Sequence, residues 1–527
     1  MPEQSASSRM KPWQWAALLA VFAAAFLLRV HDVSRIFLWL DEGDMFNEWV
    51  YSDHPKSLVD FALTTRDATT VTWGWPAVIW IVSRTFGSTI GTARIPTLVA
   101  NTAGVALLFA LVYQLLAGFV GDRFWPALFA AIFAGISVVQ LDYGQRAYPY
   151  GVTPFAALAV LVGHFEILRA TGADGWKATP RLLRALLLYT LAIVFSFCMH
   201  ASATLIPAIS MAAIAYRALK GLRSNGWDKK IALWGAVSAG AILAAAALNI
   251  KNPKYGYRPY LADYYLPLSF ASIPKLLAHA YALATYHLNL FYNAALYYPD
   301  RLNAAVLPLV LICVFGWWLA ALRKFGEEFR HLALLSAAAV ALPAALSLVK
   351  VFPFGGVRQL LFLGPLLMAF AALGFYALRA NAFTKFAAIA IGSAYLALWA
   401  VNLPRFYRER LPQYTPDEIV AAWRDNPGLP IYAQFSEREF WYELRDHPEI
   451  HVRGLTYSAK PPYLLVTTHN WVGDGRWFAG YPEYLRQAGY RLIVLKQAEG
   501  FHIDNRLPSQ SLYFPPNGFW IYKITAP

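Results

Sequence analysis

The residues best suited to chemistry lie in Leu38-Trp39-Leu40-Asp41-Glu42-Gly43-Asp44. Two adjacent carboxylates at a membrane surface, preceded by apolar residues, can hold raised pKa values and take a proton from a substrate. In a helix starting here, Asp41, Asp44 and Glu48 share one face at i, i+3 and i+7. The same acids also fit a structural role, with Asp41 as N-cap and acids in the first turn. A second group is Leu141-Asp142-Tyr143-Gly144-Gln145-Arg146-Ala147-Tyr148-Pro149-Tyr150. Its Gln145, Tyr148 and Tyr150 are candidates for substrate contact, or else members of an aromatic belt at the interface. His200 lies between two apolar runs, where a polar residue is either a site group or a satisfied structural histidine. Lys350 and Arg358 flank Gly355-Gly356, a turn able to offer backbone N–H groups and a guanidinium to a phosphate. The bland alternative is that Arg358 snorkels to lipid headgroups.

Positioning these groups falls to a chain of 527 residues, 58% hydrophobic and only 14% charged, with mean hydropathy +0.40. Soluble proteins carry roughly 25% charged residues, so an ordinary water-soluble enzyme is excluded. A spanning helix needs about 20 apolar residues. Eleven runs qualify: 13–30, 93–117, 124–141, 150–168, 182–199, 201–216, 231–250, 302–322, 332–349, 360–378 and 386–403. The first is read as an uncleaved anchor, although Ala23-Ala24-Ala25 would also suit a signal peptide. The run 71–86 is short and broken by Gly74 and Pro76, so an interfacial or re-entrant segment competes with a span.

Basic residues set the sidedness. With eleven crossings and a cytoplasmic N-terminus, Arg169, Lys177, Arg217, Lys229, Lys230, Arg323, Lys324, Arg379 and Lys385 all fall inside. A twelfth crossing would move them outside. The formal charge of +14 therefore reflects cytoplasmic loops rather than a nucleic-acid partner. Three regions are then external. The loop 31–92 is acidic, and the loop 251–300 contains at 273–292 the polar spacing of an amphipathic helix on the membrane surface. The chain divides into a membrane part, 1–403, and an extracytoplasmic part, 404–527. The latter alternates helix-like 417–425 and 484–488 with strand-like 431–434, 464–467, 491–495 and 519–524, a small α/β domain.

Several chemistries are absent. Cys198 and Cys313 both lie in apolar runs, which excludes a disulfide framework and a cysteine-rich metal site. There is no P-loop, dinucleotide glycine fingerprint or HExxH zinc helix. No file of ionisable residues runs through successive spans, as proton-driven carriers tend to show.

An Asp-Glu pair in an acidic outer loop after the first span, many further spans and an outer C-terminal domain together resemble the GT-C membrane glycosyltransferases. Within them the chain resembles the branch of protein O-mannosyltransferases, lipid A aminoarabinose transferases and rhizobial core-sugar transferases. The likeness covers roughly residues 10–405. It rests on Trp39-Leu40-Asp41-Glu42, on Thr92-Ala93-Arg94-Ile95-Pro96 before a span, on His200, and on Gly356-Val357-Arg358-Gln359-Leu360-Leu361-Phe362-Leu363-Gly364-Pro365. There are departures. Where members read Gln-x-x-Arg-x-Tyr, Gln145 and Tyr150 match, but Tyr148 stands at the Arg position and Arg146 two residues earlier. The usual His-Pro-Pro or Lys-Pro is replaced by Thr72-Trp73-Gly74-Trp75-Pro76, so neither sugar nor acceptor carries over.

The resemblance implies a GT-C-like polytopic α-helical protein of the bacterial inner membrane, with its small α/β domain periplasmic. It implies inverting transfer of a hexosyl or pentosyl group from a polyprenyl-phosphate donor to a lipid, glycan or protein hydroxyl. Asp41 would be the general base, with Glu42 beside it; Arg358, Lys350 and His200 would serve the donor phosphate, and Gln145, Tyr148 and Tyr150 the substrate. It commits to no cofactor; a divalent metal, if one is held, would sit on Asp41, Asp44 and Glu48. The rival readings are a flippase for a lipid-linked sugar and a non-catalytic glycan-binding scaffold.

Overall fold

The computed structural model describes residues 10–36, 40–45, 72–117, 122–225, 228–250, 265–266, 273–289, 306–355, 358–408, 410–411, 415–433, 440–441, 443–455, 459–467, 485, 487–499 and 518–526. Every apolar run predicted to span becomes a helix. They are α1 (Pro12–Val30), α4 (Ile90–Leu115), the pair α5 (Phe124–Ile136) and α6 (Val138–Gly144), α7 (Thr153–Asp174), α8 (Pro180–Met199), α9 (Leu205–Asn225) and α10 (Lys229–Ile250). After them come α12 (Leu307–Ala321), α13 (Glu327–Leu348), α14 (Gly364–Leu378) and α15 (Ala382–Arg408). Among the described residues nine helices are long and apolar enough to cross a bilayer, or ten if α5 and α6 form one broken span. The remaining run is α12, a shorter apolar helix of 15 residues. Three further helices belong to the loops: α2 (Leu40–Met45), α3 (Gly74–Phe86) and α11 (Ile273–Leu288).

In hydrocarbon, backbone groups need partners inside the protein, and the broken span shows how this is met. α5 and α6 diverge by 58° at Ser137, which strands the last carbonyls of α5. Arg29, buried near the end of α1, donates to Ala134 O and Gly135 O at 3.1 Å each. The Trp399 indole donates to Ile136 O at 2.9 Å. Ser137 then caps α6, its Oγ accepting from Gln140 N–H at 3.4 Å.

Close helix contact elsewhere uses small residues. A Cβ on Gly316 would lie 1.9 Å from the Phe370 carbonyl oxygen, and one on Gly374 would lie 2.2 Å from that of Ile312. Backbones of α12 and α14 therefore touch, and any larger residue at either glycine would force them apart.

The helix predicted within 273–292 forms as α11, but not as a surface helix with its polar side outward. Its Ile273, Leu276 and Leu277 are exposed, whereas Thr285, Tyr286, His287 and Leu288 are buried. The Thr285 hydroxyl donates back to Tyr281 O at 3.0 Å, so its polar group is satisfied within the helix and tolerates burial.

Beyond α15, which runs unbroken through Pro404, α16 (Pro416–Arg424) begins in a capping box of Thr415 and Glu418. A mixed five-stranded sheet follows: β1 (Ile431–Ala433), β2 (Val452–Gly454), β3 (Tyr463–Thr467), β4 (Arg491–Glu499) and β5 (Gly518–Thr525), in the order β2-β1-β3-β5-β4. β1 pairs in parallel with β2 and β3, while β5 is antiparallel to β3 and β4. Strand alternation gives the sheet two apolar faces, with Leu464 and Val466 on one and Tyr463 and Leu465 on the other. β2 was not expected, because three residues centred on Arg453 carry no readable period. Of the helix expected at 484–488, Leu485 and Gln487 are helical and Ala488 is in a turn, while 484 and 486 lie outside the described residues.

Both native cysteines are buried, so introduced thiols can report sidedness. With the basic loops inside, a cysteine at Asp425 is expected to label from outside intact cells, and one at Lys229 only after permeabilisation. External labelling at position 229 would overturn the eleven-crossing arrangement.

Candidate functional site

The site is built around one buried carboxylate. α2 carries Glu42, whose side chain is fully buried together with that of Arg94. Arg94 stands in the first turns of α4, a helix started by Thr89, whose Oγ1 accepts from Thr92 N–H at 3.2 Å. Its guanidinium grips Glu42 in two places, Nε to Oε1 at 3.0 Å and Nη2 to Oε2 at 2.9 Å. Nη1 reaches back to the Val33 and Ile36 carbonyls at 2.7 and 2.9 Å. Glu42 Oε1 also accepts from the backbone N–H of Ala147. The segment carrying α2 is thus fastened to α4 and to the turn after α6 through one side chain.

A second carboxylate, Asp142 at the end of α6, lies beside the first. Arg146 holds it at 3.0 Å while standing 3.9 Å from Glu42 Oε2, so this guanidinium spans the two acids. Arg410, arriving from beyond α15, pairs with Asp142 at 2.9 Å and donates to Gln145 Oε1. The Gln145 amide nitrogen in turn meets the Arg29 and His31 carbonyls at 3.0 and 2.7 Å. Gln145, expected to touch substrate, is fully buried and ties down the C-terminal end of α1.

Two residues on, the same stretch turns outward to a cation. Arg358, at the head of a 3-10 segment (Arg358–Leu363), lies 5.7 Å from the Tyr148 ring centre and 5.2 Å from that of Tyr150, within cation–π range. The Tyr150 and His200 rings lie 4.4 Å apart, tilted by 54°. His200 caps a 3-10 turn (Ala201–Thr204), its Nδ1 accepting from Ser202 N–H at 3.1 Å. With Nδ1 as acceptor, the neutral ring carries its proton on Nε2 and can donate from there. Gly151 lets this stretch fold tightly: a Cβ there would lie 2.2 Å from the Tyr143 carbonyl oxygen.

The structure therefore brings together Glu42, Gln145, Tyr148, Tyr150, His200 and Arg358. Lys350 is exposed on a left-handed turn (φ 59°) after α13. The backbone of Asp41 and Asp44 is helical in α2, but their side chains, and Glu48 altogether, lie outside the described residues. No three His, Cys, Asp or Glu side chains converge as a metal site among the described residues. Glu42 and Asp142 are each taken up by guanidinium groups, which does not suit a cation. Sequence reasoning missed the roles of Arg94, Arg146 and Arg410. For Arg94 the signal was a guanidinium at the mouth of an apolar run; its partner 52 residues away could not be read.

No family model matches the sequence. No curated protein matches it either. Among solved structures, ArnT from Cupriavidus metallidurans bound to undecaprenyl phosphate is similar, at 12% identity and a TM-score of 0.47, over 98% of this chain and 100% of that one. The oligosaccharyltransferase AglB from Archaeoglobus fulgidus, in complex with an inhibitory peptide and a dolichol-phosphate, matches at 13% identity and 0.45. That match covers 86% of this chain and 62% of the other. The arabinofuranosyltransferase AftD from Mycobacteria matches at 13% identity and 0.39, over 99% of this chain and 40% of the other. All three TM-scores lie below 0.5, and the functional reading below rests on the site's own geometry.

Removing one partner of a buried ion pair leaves an uncompensated charge, at a cost of about 3–5 kcal/mol. Arg94→Met alone is therefore expected to lower the thermal midpoint in detergent sharply. Arg94→Met with Glu42→Gln should recover much of that loss, because no charge is then stranded. Equal melting of the single variant and the unaltered protein would remove the anchoring role.

Proposed function

We propose that this chain is an inverting membrane glycosyltransferase that moves a sugar from a polyprenyl-phosphate donor to an acceptor hydroxyl. The observation that carries the reading is the double engagement of residues 145–150. Ala147 holds Glu42, the neighbour of Asp41 on α2, while Tyr148 and Tyr150 face Arg358. A carboxylate-bearing helix and a cationic turn are thus fixed to one short piece of chain, the pairing that base-assisted attack and phosphate departure require. The motifs around Asp41 and Arg358 resemble the GT-C glycosyltransferases independently of this geometry.

In the proposed reaction the acceptor oxygen attacks the anomeric carbon opposite the phosphate. Asp41 takes the hydroxyl proton as the new C–O bond forms, the old C–O bond breaks, and its electron pair leaves on the phosphate oxygen. Arg358 meets the charge developing there, with Lys350 as a further cation. His200 offers Nε2–H beside Tyr150. Glu42 is a positioning residue: its oxygens are engaged by Arg94 and Ala147, and it holds α2 rather than touching substrate. The acceptor is a lipid, glycan or protein at the outer face of a bacterial inner membrane. A flippase would need neither the carboxylate helix nor its buried anchor.

Free aspartate has a pKa near 3.9, so Asp41 can accept a proton only as bond formation acidifies the hydroxyl. Positioned bases of this kind contribute about 10²–10⁴-fold. With a radiolabelled polyprenyl-phosphate sugar as donor, Asp41→Asn is expected to lose at least about a hundredfold in turnover at an unchanged melting temperature. Asp41 is the second residue of α2 and not the N-cap the sequence allowed; Asn keeps its size and shape, so a purely structural Asp41 would leave turnover near normal. Asp44→Asn, one helical turn away, should stay active.

Arg358→Ala is expected to cost about two orders of magnitude in kcat/KM, equivalent to roughly 2.7 kcal/mol of transition-state stabilisation. Arg358→Lys should recover part, since an ammonium supplies charge without the planar fork. Undiminished transfer by Arg358→Ala would return that residue to an ordinary headgroup contact.

A further inference from the structure

We propose that α11 sets the position of Arg358 through two histidines, His279 and His287, which grip the two ends of the segment carrying it. The inference rests on the glycosyltransferase reading only in taking Arg358 as the group that meets the donor phosphate.

At the first end, His279 Nδ1 lies 2.8 Å from the Phe354 carbonyl oxygen. A carbonyl only accepts, so Nδ1 carries the hydrogen and the imidazole is the donor. The next residue, Gly355, has φ 126°, a left-handed conformation open to glycine. A Cβ there would lie 2.8 Å from the same Nδ1. At the second end a histidine ring again lies close against a glycine. A Cβ on Gly364 would lie 2.9 Å from His287 Nδ1 and 2.7 Å from Gln140 Nε2. Both ends of the Arg358 segment are therefore glycines with a histidine ring from one helix seated against the bare backbone.

The spacing of the two histidines suits this task. Eight positions along a helix amount to about 12 Å of rise and about 80° of rotation, so the two rings leave α11 roughly a quarter-turn apart and two turns removed, a separation suited to two different points on one neighbouring segment. The backbone carrying the second ring is itself tied down: His287 is 1% exposed, and its main-chain carbonyl accepts from Ser137 Oγ at 3.3 Å, at the bend between α5 and α6. Within the segment, Leu360, Leu361, Phe362 and Leu363 are all buried, so it cannot slide outward without exposing them. Backbone on either side of Arg358 thus lies against α11, and the guanidinium itself is faced by Tyr148 and Tyr150. These histidines are positioning residues, acting on the phosphate only through the guanidinium.

A coupling experiment on the full-length chain tests this, with transfer from a radiolabelled polyprenyl-phosphate sugar as readout. His279→Phe keeps a ring of similar size but has no donor, whereas His279→Asn keeps an N–H near Nδ1. Losing one positioning hydrogen bond should lower kcat/KM for the donor about tenfold in His279→Phe, with the acceptor KM unchanged. His279→Asn should recover most of that loss. In an Arg358→Ala background, His279→Phe should add less than about twofold, the non-additivity of residues acting through one group. If His279→Phe does not fold, Gly355→Ala takes its place, pushing on the same nitrogen, with the same coupled loss expected. An undiminished tenfold loss in the Arg358→Ala background, or an equal change in acceptor KM, overturns the positioning role while leaving the enzyme reading intact. Full activity of Arg358→Ala by itself is a different pattern: it removes the phosphate role of Arg358 and the positioning role with it, while transfer itself stands.

Discussion

Glu42 and Arg94 are in direct contact with both side chains fully buried, and much of the arrangement around α2 follows from that. A carboxylate taken out of water is costly unless its oxygens are met by donors of matching geometry. Arg94 meets both, and Ala147 adds a backbone N–H. Satisfying Glu42 therefore requires that α2, the start of α4 and the turn after α6 come to one place. Such a pair adds little net stability compared with apolar packing. What it adds is uniqueness, since few other arrangements of these three elements leave the charge satisfied.

From this anchor the structure extends in two directions. Inward, Arg146 and Arg410 carry the ionic contacts to Asp142 and the end of α15, and Gln145 and Arg29 carry them on to the carbonyls of α1 and α5. Outward, the residues after Ala147 present two tyrosine rings to Arg358. The inner groups are buried and paired with one another, so they hold shape. The outer ones are aromatic rings and a half-buried guanidinium, which can adjust to a charged ligand without stranding a charge.

The sequence was informative wherever a property is local. Length and apolarity located the eleven runs that become apolar helices, nine or ten of them, among the described residues, long enough to cross a bilayer, and short apolar stretches located β1, β3, β4 and β5. It was uninformative where a partner is remote. Arg94 and Glu42 are 52 residues apart, and Arg410 reaches an Asp142 carbonyl across 268. No spacing rule connects such pairs. α11 was misjudged for a different reason: polarity suggested its wet side, yet Thr285 satisfies its hydroxyl internally and His287 is packed against glycine. Among the predicted site residues, the four whose rings or guanidinium meet, Tyr148, Tyr150, His200 and Arg358, are drawn from three well-separated stretches. Their types were readable, but their meeting was not.

The stitching of Arg29 to the bend also bears on biosynthesis. α1 leaves the ribosome carrying a guanidinium whose receiving carbonyls lie 105 residues further along the chain. At about 5–20 residues per second, that is a wait of many seconds. During it a charge in the middle of a lone span would be costly, but Arg29 is the penultimate residue of α1, close enough to the interface for its long side chain to stay hydrated. The first span can thus be laterally released early and docked late, once α5 has entered the bilayer and offers its open carbonyls. The end-of-helix placement of this one cation reconciles insertion of an isolated helix with burial of its charge in the finished bundle.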